Sequence, residues 1–345
     1  MMTIRPFGDT GIDITPLGFG TWVLAGAGWQ YSWGATDDDA SIAAVRHAVA
    51  AGLNWIDTAP AYGLGHAEEL VGRALADIPE DERPYLFTKT GLIWEEGDDR
   101  SGPPRRVVRP DTVRRELEDS LRRLRVDHID LFQVHWPDTG TRFVYGAEAE
   151  VGDATPLAEY WQAMADLKKE GKVRAIGLSN HAVAQLEEAE GIAHVDAIQP
   201  PFSVITRSAA PEIAWAHGNG TGVIVYSPLQ SGLLTGTFTE ERARGLGAGD
   251  WRASHPDFTT GLSANLALVD ALRPIAARHG VPVAQVALAW ALAWPGVTGA
   301  IVGARTAGQI DEWVGAGDLV LTAEDQAEIA TAIVATGAGS GPARP

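Results

Sequence analysis

The stretch PDTVRRELEDSLRRLRVDHIDLFQVHW, at residues 110–136, decides the fold. Its first half predicts an amphipathic helix, because apolar residues spaced by four, four and three positions form one buried stripe: Val113, Leu117, Leu121 and Leu124. Its second half, IDLFQVHW at 129–136, is a nearly continuous apolar run, which is typical of a strand buried on both faces of a parallel sheet. A helix that leads into such a strand is the repeating unit of α/β proteins.

The same alternation continues in both directions from this stretch. Short apolar runs predict eight parallel strands, at residues 16–20, 53–57, 85–89, 129–136, 173–180, 195–199, 222–227 and 298–303. Amphipathic patterns predict helices at residues 36–52, 66–76, 109–124, 156–170, 182–190, 210–218, 262–279, 283–293 and 307–315. Eight strands followed by helices predict a single α/β domain over residues 1–334, a (β/α)8 TIM barrel with an N-terminal β-hairpin at residues 3–14.

Features between and after these elements refine the prediction. A doubly wound open sheet is the main alternative, but no GxGxxG motif follows an early strand. The connections at 91–109, 137–155 and 230–261 are unusually long, so we expect them to shape or close a pocket on the C-terminal face of the barrel. Residues 335–345 are small, contain proline and lack periodicity, which predicts a disordered C-terminal tail.

Composition limits the classes of partner. The 345 residues include 27 Lys and Arg against 45 Asp and Glu, and the net charge of −18 makes nucleic acid and anionic membranes unfavourable partners. The absence of cysteine excludes disulfides, zinc-thiolate sites and a catalytic thiol. No run of about 20 apolar residues and no apolar signal-peptide core occurs, so we expect a cytoplasmic protein.

Polar residues at three neighbouring strand ends indicate proton-transfer chemistry. Asp57, Lys89 and His135 end the second, third and fourth predicted strands, and Tyr62 follows in the loop after Asp57. Each alone has a structural explanation, but Lys89 follows the apolar run YLF and requires a buried counter-charge, which Asp57 supplies. An ammonium about 4 Å from Tyr62 is expected to lower the tyrosine pKa by about three units. Tyr62 would then exchange a proton with a substrate oxygen, to which His135 donates a hydrogen bond.

The strand ends of the second half suit an anionic dinucleotide. The fifth and sixth strands end in neutral hydrogen-bonding side chains that could hold a carboxamide: Ser179, Asn180 and Gln199. After the seventh strand, Tyr226 offers a ring for stacking, and small residues let the backbone wrap phosphates: Ser227, Ser231 and Gly232. After the eighth strand, Gly303 and Ala304 permit close approach and Arg305 supplies a cationic fork. Ordinary loops are the alternative interpretation of both segments.

Taken in order, these segments resemble the aldo-keto reductase family, in the branch that includes bacterial general-stress and sugar reductases and potassium-channel β subunits. The resemblance runs from about residue 3 to about residue 316. It is carried by LGFGTW (17–22), NWIDTAPAYGLGHAEELVGRAL (54–75), FTKTG (87–91), LRRLRVDHIDLFQVHWPD (121–138), GKVRAIGLSN (171–180), IQPPFS (198–203), YSPLQSGLLTG (226–236) and IVGARTAGQIDE (301–312).

The resemblance implies an NADP(H)-dependent oxidoreductase without a Rossmann domain, in which Asp57, Tyr62, Lys89 and His135 are catalytic and Tyr62 is the general acid or base. It implies that Arg305 and Gln309 lie near the adenosine 2′-phosphate. The full set of implied cofactor contacts is Gly20, Thr21, Trp22, Asp57, Ser179, Asn180, Gln199, Tyr226, Ser227, Pro228, Leu229, Ser231, Gly232, Gly303, Ala304, Arg305, Gln309, Glu312 and Trp313.

The sequence departs from the family pattern at three positions. His181 replaces an aromatic residue, Val302 replaces a proline, and Trp313 stands where asparagine is usual. Trp313 could stack on adenine or simply pack the last helix, so NAD remains a possible cofactor.

The substrate implied by the resemblance is a carbonyl or alcohol: an aldehyde, ketone or sugar. Trp22, Trp94 and Trp136 are expected to line its pocket, although tryptophans also serve to pack long loops. A cofactor-binding regulatory subunit and an NAD-dependent sugar or alcohol dehydrogenase remain alternatives. A metal-dependent hydrolase is disfavoured, because only Asp57 and His135 are placed as ligands and Lys89 would oppose a cation. The sequence leaves the oligomeric state open.

Overall fold

The computed structural model describes residues 2–144, 152–247 and 250–345. Residues 145–151, within the predicted connection 137–155, and residues 248–249, within 230–261, lie outside the described part.

Eight parallel strands close into a barrel, which confirms the predicted fold class. The last strand (Gly299–Gly303) pairs with the first (Leu17–Gly20) through Val302 and Phe19, and this pairing closes the ring. Every predicted strand is present, with shifts of one to two residues at its ends. The barrel strands are β3 (Leu17–Gly20), β4 (Trp55–Asp57), β5 (Tyr85–Thr90), β8 (Ile129–Val134), β9 (Val173–Ser179), β10 (Ala197–Gln199), β11 (Gly222–Val225) and β12 (Gly299–Gly303).

Helices surround this barrel, and within the described ranges none is long and apolar enough to cross a bilayer. They are α1 (Asp38–Ala50), α2 (His66–Leu75), α3 (Pro110–Leu124), α4 (Leu157–Lys169), α5 (Val183–Glu190), α6 (Ala210–Gly218), α7 (Glu240–Arg244), α8 (Leu262–His279), α9 (Val283–Leu292), α10 (Ala307–Trp313) and α11 (Ala323–Thr336). Helices α7 and α11 were not predicted from the sequence.

The predicted N-terminal hairpin is confirmed and seals one end of the barrel. Its strands β1 (Arg5–Pro6) and β2 (Asp13–Ile14) pair in antiparallel fashion. Phe7, Ile12 and Ile14 are fully buried and pack with Trp55 and Phe87 in a cluster at the base of the barrel. A ligand therefore enters from the opposite end, where the strands end.

The connection after β5 contains its own small hairpin. Its strands are β6 (Leu92–Ile93) and β7 (Arg105–Arg106), which pair in antiparallel fashion. The connection after β11 contains short 3-10 turns and α7. The described parts of both long connections are thus built from short elements of secondary structure.

The C-terminal tail differs from its prediction. Arg207 is 2% exposed, and its guanidinium donates to the backbone oxygens of Ala338, Gly341 and Pro342 at 3.1, 3.3 and 3.0 Å. Ser340 forms a bridge with Thr206. Composition could not reveal the contacts with Arg207, because backbone carbonyls make them and these are present in every sequence.

Candidate active site

The carboxyl ends of β4 and β5 bring three predicted catalytic residues together. Lys89 Nζ donates to Asp57 Oδ2 at 2.5 Å and to the backbone oxygen of Thr58 at 2.9 Å. It also lies 3.4 Å from the Tyr62 hydroxyl oxygen and 5.2 Å from the centre of the tyrosine ring. The Lys89 side chain is fully buried. The adjacent strands β4 and β5 thus carry the buried ion pair that the sequence predicts.

His135 reaches the same point from the end of β8. Its backbone N–H donates to the Thr90 oxygen at 2.9 Å, and its own backbone oxygen accepts from Asn180 Nδ2 at 2.9 Å. The imidazole meets the Tyr62 ring edge-on, with 5.8 Å between ring centres. These backbone bonds from two sides fix where the imidazole stands relative to the phenol.

The pKa of Tyr62 moves in the direction opposite to the expectation. Burial of the phenol, together with the charge of Asp57 and the nearby Tyr226, raises its pKa well above 10. Asp57 lies against the Lys89 ammonium and offsets its effect on the phenol. Burial also lowers the pKa of Lys89, against the opposing attraction of Asp57. Tyr62 is therefore a protonated donor at neutral pH.

Burial keeps the imidazole of His135 neutral. Its pKa lies well below the usual 6.5, first because the ring is buried and second because the Lys89 charge opposes a further cation. A neutral imidazole still carries one N–H and can donate a hydrogen bond to an oxygen beside Tyr62.

A cavity of about 770 Å³ opens above these residues. This volume lies within the range of ligand-binding pockets. The wall near Tyr62 is aromatic and is formed by Trp22, Trp29, Tyr31, Trp136 and Phe143. Trp22 is the centre of this wall, with its ring 5.4 Å from the rings of both Trp29 and Tyr62.

Hydrogen-bonding side chains from β9, β10 and β11 form the floor of the cavity on the other side of Asp57. Gln199 Nε2 donates to Asp57 Oδ1 at 2.8 Å, and the Tyr226 hydroxyl donates to Asn180 Oδ1 at 2.7 Å. Ser179 donates to the Gln199 backbone oxygen at 2.7 Å. Asn180 adopts a left-handed conformation with φ of 62°, which turns the chain at the end of β9.

The loops after β11 and β12 continue the cavity. Ser227, Gln230 and Ser231 all have positive φ, an unfavourable conformation for residues with a Cβ. In the second loop, the Arg305 guanidinium donates to the Trp33 oxygen at 2.6 Å, and the Arg305 backbone N–H donates to Gln309 Oε1 at 2.7 Å. The contact with Trp33 joins the loop after β12 to the loop after β3, and the contact with Gln309 joins the same loop to α10.

The structure brings nearly all the predicted site residues to this cavity. Each predicted cofactor residue lines it, as do Tyr62, His135 and Trp136. Lys89 lies behind Asp57 and Tyr62. Trp94 does not line the cavity: its indole N–H donates to the Gly102 oxygen at 3.0 Å, and its ring packs against the buried cluster that includes Leu92 and Phe143.

Several lining residues were not predicted to be part of the site. They include Trp29, Tyr31, Trp33, Phe143, Arg242 and Arg252. The dense aromatic stretch WQYSW at 29–33 was a signal for the first three. Phe143 and the two arginines lie in long connections whose course no periodic pattern reveals.

The cavity suits an anionic, oxygen-rich dinucleotide. Three arginines line it although the whole chain carries a net charge of −18: Arg242, Arg252 and Arg305. Within the described ranges, four buried indole N–H groups of lining residues find no acceptor: those of Trp22, Trp29, Trp33 and Trp313. An unpaired buried donor is unfavourable by about 1–3 kcal/mol, so acceptors on a bound ligand would relieve this cost.

Comparisons with known proteins agree with this architecture. Residues 16–334 match the model of the aldo/keto reductase family. Aldo-keto reductase YhdN of Bacillus subtilis is 35% identical over 336 residues, which are 96% of this chain and 93% of that protein. The NADH-specific methylglyoxal reductase of Escherichia coli is 33% identical, over 93% of this chain and 95% of that protein.

A solved structure agrees as well. Glycerol dehydrogenase AKR11B4 from Gluconobacter oxydans superposes with a TM-score of 0.82 at 34% identity, covering 97% of this chain and 95% of that one. The closed barrel, the residues at its strand ends and these similarities lead to one conclusion: the chain belongs to the aldo/keto reductase family of oxidoreductases.

Proposed function

We propose that the protein interconverts a carbonyl and an alcohol with NADP(H), and that Tyr62 is the general acid or base. The observation that carries this proposal is the buried group of Asp57, Lys89 and Tyr62 facing a partly aromatic cavity, with Lys89 Nζ 2.5 Å from Asp57 and 3.4 Å from Tyr62. When bound, a reduced nicotinamide supplies the hydride for carbonyl reduction.

The chain's own residues would move the proton. Because burial keeps Tyr62 protonated, its hydroxyl donates a proton to the carbonyl oxygen as negative charge develops there. The phenolate left behind lies beside the Lys89 ammonium, which stabilises it, and Asp57 holds that ammonium in place. Neutral His135 donates a second hydrogen bond to the same oxygen, orienting the carbonyl without adding a charge.

The remaining lining residues would hold the cofactor. Ser179, Asn180 and Gln199 present neutral donors and acceptors of the kind that a carboxamide requires, and the Tyr226 ring offers a face for the nicotinamide. Arg305 and Gln309 lie together at the far end of the cavity, in the loop and first turn after β12. Their position and charge support binding of an adenosine 2′-phosphate, and hence NADP(H).

A specific observation also favours NAD(H) as a second candidate. The methylglyoxal reductase described above is NADH-specific by name, and Trp313 replaces the asparagine usual in the family pattern. Trp313 is 4% exposed and lines the cavity. In that case Arg305 would serve the pyrophosphate rather than a 2′-phosphate.

The aromatic wall supports small carbonyl substrates. Trp22, Trp29, Trp136 and Phe143 present mainly apolar surface, which suits flat or short carbonyl compounds. The names of two relatives indicate methylglyoxal and glycerol as their compounds, so three-carbon carbonyls belong in the first set of substrates tested.

The test is a steady-state assay of the purified protein with NADPH or NADH and a panel of methylglyoxal, glyceraldehyde and an aromatic aldehyde. We expect oxidation of the cofactor that depends on the carbonyl and is faster with NADPH. Tight cofactor binding without turnover of any carbonyl or alcohol would instead support a regulatory subunit. Failure to bind either cofactor would contradict the proposal.

A further inference from the structure

The outward face of β5 is unusual for a strand of a parallel barrel. Thr88 and Thr90 point away from the barrel interior, on either side of inward-facing Lys89, where buried apolar residues are the rule. Each hydroxyl donates to a buried glutamate: Thr88 to Glu68 Oε1 at 2.6 Å, and Thr90 to Glu116 Oε2 at 2.5 Å. Two helices thus hold this strand through carboxylates rather than through apolar packing alone.

The two glutamates differ in how their charge is balanced. Glu68 on α2 forms an ion pair with Arg123, at 2.6 Å. Glu116 on α3 is 7% exposed and makes no ion pair within the described part of the chain. Its Oε2 atom accepts instead from the Thr90 hydroxyl and from the Gly91 backbone N–H, the latter at 2.9 Å. An uncompensated buried carboxylate is costly, so stability alone does not explain Glu116.

The two groups bound by Glu116 lie where the candidate active site is assembled. Thr90 directly follows Lys89, and its backbone oxygen accepts from the His135 N–H at 2.9 Å. Glu116 therefore holds, through a single oxygen, the segment that carries Lys89 and supports His135. Gly91 adopts φ of 96° at the same point, where β5 turns away from the barrel.

We propose that Glu116 is a positioning residue for Lys89 and His135. This inference rests on the proposed carbonyl reduction. Glu116 touches neither substrate nor cofactor, since it does not line the cavity. It acts by fixing the end of β5, so that the ammonium stays within reach of Tyr62 and the imidazole stays beside the phenol.

The ionisable groups around Glu116 are consistent with this role. Burial has the largest effect on the pKa of Glu116 and raises it, and repulsion from Glu68 on α2 acts in the same direction. The hydrogen bonds from Thr90 and Gly91 and a weak attraction to Arg115 on its own helix oppose this rise. Lys89 faces the opposite side of the strand and is paired with Asp57. Because Thr90 and Gly91 supply two donors to one oxygen, a neutral amide oxygen can accept the same two bonds.

Four variants test the proposal through activity. Glu116→Ala removes the acceptor and Thr90→Val removes one donor. We expect Glu116→Ala to lower kcat by roughly 10- to 100-fold, because displacement of reacting groups by about 1 Å has effects of this size. The Kd of the cofactor should stay within about threefold of the wild-type value, because Glu116 does not line the cavity. We expect a smaller loss in Thr90→Val. Glu116→Gln keeps the acceptor and should restore most of kcat, and Glu118→Gln, on the same helix, is the matched control.

A second readout does not depend on turnover. Hydrogen exchange of the ligand-free protein should accelerate at the amides of Gly91 and His135 in Glu116→Ala and remain near the wild-type rate in Glu116→Gln and Glu118→Gln. The proposal is overturned if Glu116→Ala keeps wild-type kcat and exchange, or if Glu116→Gln loses as much as Glu116→Ala. If the wild-type protein has no reductase activity, the proposed function is contradicted. The hydrogen-exchange data would still show whether Glu116 holds the end of β5 in place.

Discussion

Burial, rather than the neighbouring ammonium, controls the proton on Tyr62. The sequence correctly predicted that Asp57, Tyr62, Lys89 and His135 converge, because residues at the carboxyl ends of adjacent parallel strands must meet at one end of a barrel. Its prediction that the tyrosine pKa is lowered was wrong, because the pKa of Tyr62 is raised. That direction depends on how deeply the phenol is buried and on how closely Asp57 offsets the Lys89 charge, and neither quantity can be read from spacing.

The sequence also did not distinguish the tryptophans that line the cavity from those that pack loops. Trp22 and Trp136 line the cavity as predicted, whereas Trp94 lies outside it and its N–H bonds to Gly102. Aromatic side chains serve both as pocket walls and as packing for long loops. The distinction depends on the course of the chain after β6, which periodic patterns do not determine.

The first prediction at the residue scale concerns cofactor choice. Replacing Arg305 with Ala should weaken NADPH binding by roughly 10- to 100-fold and NADH binding much less, because a charge-assisted hydrogen bond is worth about 1.5–3 kcal/mol. Titrations that follow tryptophan fluorescence measure both affinities. Arg46→Ala, an exposed arginine paired with Asp77, is the control. Equal weakening of both cofactors would mean that Arg305 serves the pyrophosphate or the fold.

At the scale of elements, helices and strands were predicted where periodicity and capping agree. The apolar stripe of α3 indicated the extent of that helix, and the Asp37 side chain caps the start of α1 by accepting a hydrogen bond from the Ala40 N–H. Helix α11 was not predicted, although Thr322 and Asp325 form a reciprocal capping box at its start. It follows the last strand and its helix, so the alternation of strand and helix gives no signal for it.

The element-scale prediction concerns the contact between α3 and β5. Burial raises the pKa of Glu116 to about 7, from 4.5. A carboxyl group whose pKa is higher in the folded than in the unfolded state stabilises the fold when the pH is below its pKa in the unfolded state. This stabilisation is lost as the pH rises through its pKa in the folded state. The wild type should therefore lose up to about 3 kcal/mol of unfolding free energy between about pH 4.5 and pH 8 from this group.

Glu116→Gln should lack this loss. Urea unfolding of the two proteins should give similar stabilities near pH 5 and a more stable glutamine variant at pH 8. Glu118→Gln should follow the wild type at both pH values. Parallel pH profiles for Glu116→Gln and the wild type would show that Glu116 does not titrate in this range.

At the scale of the whole molecule, the two ends of the chain have different roles. The N-terminal hairpin seals the base of the barrel with Phe7, Ile12 and Ile14, which leaves the opposite end for ligands. The C-terminal tail packs against Arg207. The hairpin was predictable from its turn GDTG at residues 8–11, whereas the hydrogen bonds between the tail and Arg207 were not, because backbone oxygens accept them.

The whole-molecule prediction is that deletion of residues 338–345 destabilises the protein. The deletion removes three acceptors of the Arg207 guanidinium and the buried Ala338 side chain. It should lower the unfolding free energy by about 2–4 kcal/mol, since hydrogen bonds to a charged group contribute about 1.5–3 kcal/mol each and water replaces only part of what is lost. Thermal unfolding measures the loss. A shorter deletion of residues 344–345 keeps all three acceptors and should unfold like the full chain, and identical stability of both deletions would contradict the prediction.

The most direct measurement is the rate of carbonyl-dependent NADPH oxidation by the wild type, Tyr62→Phe and Tyr85→Phe. Tyr85 begins β5, at the far end of the strand from Lys89, so its variant is a matched control for loss of a hydroxyl. The account predicts that Tyr62→Phe lowers kcat by roughly 10²- to 10⁴-fold with nearly unchanged NADPH affinity, while Tyr85→Phe keeps the wild-type rate. A Tyr62→Phe variant as fast as the wild type would contradict the central claim.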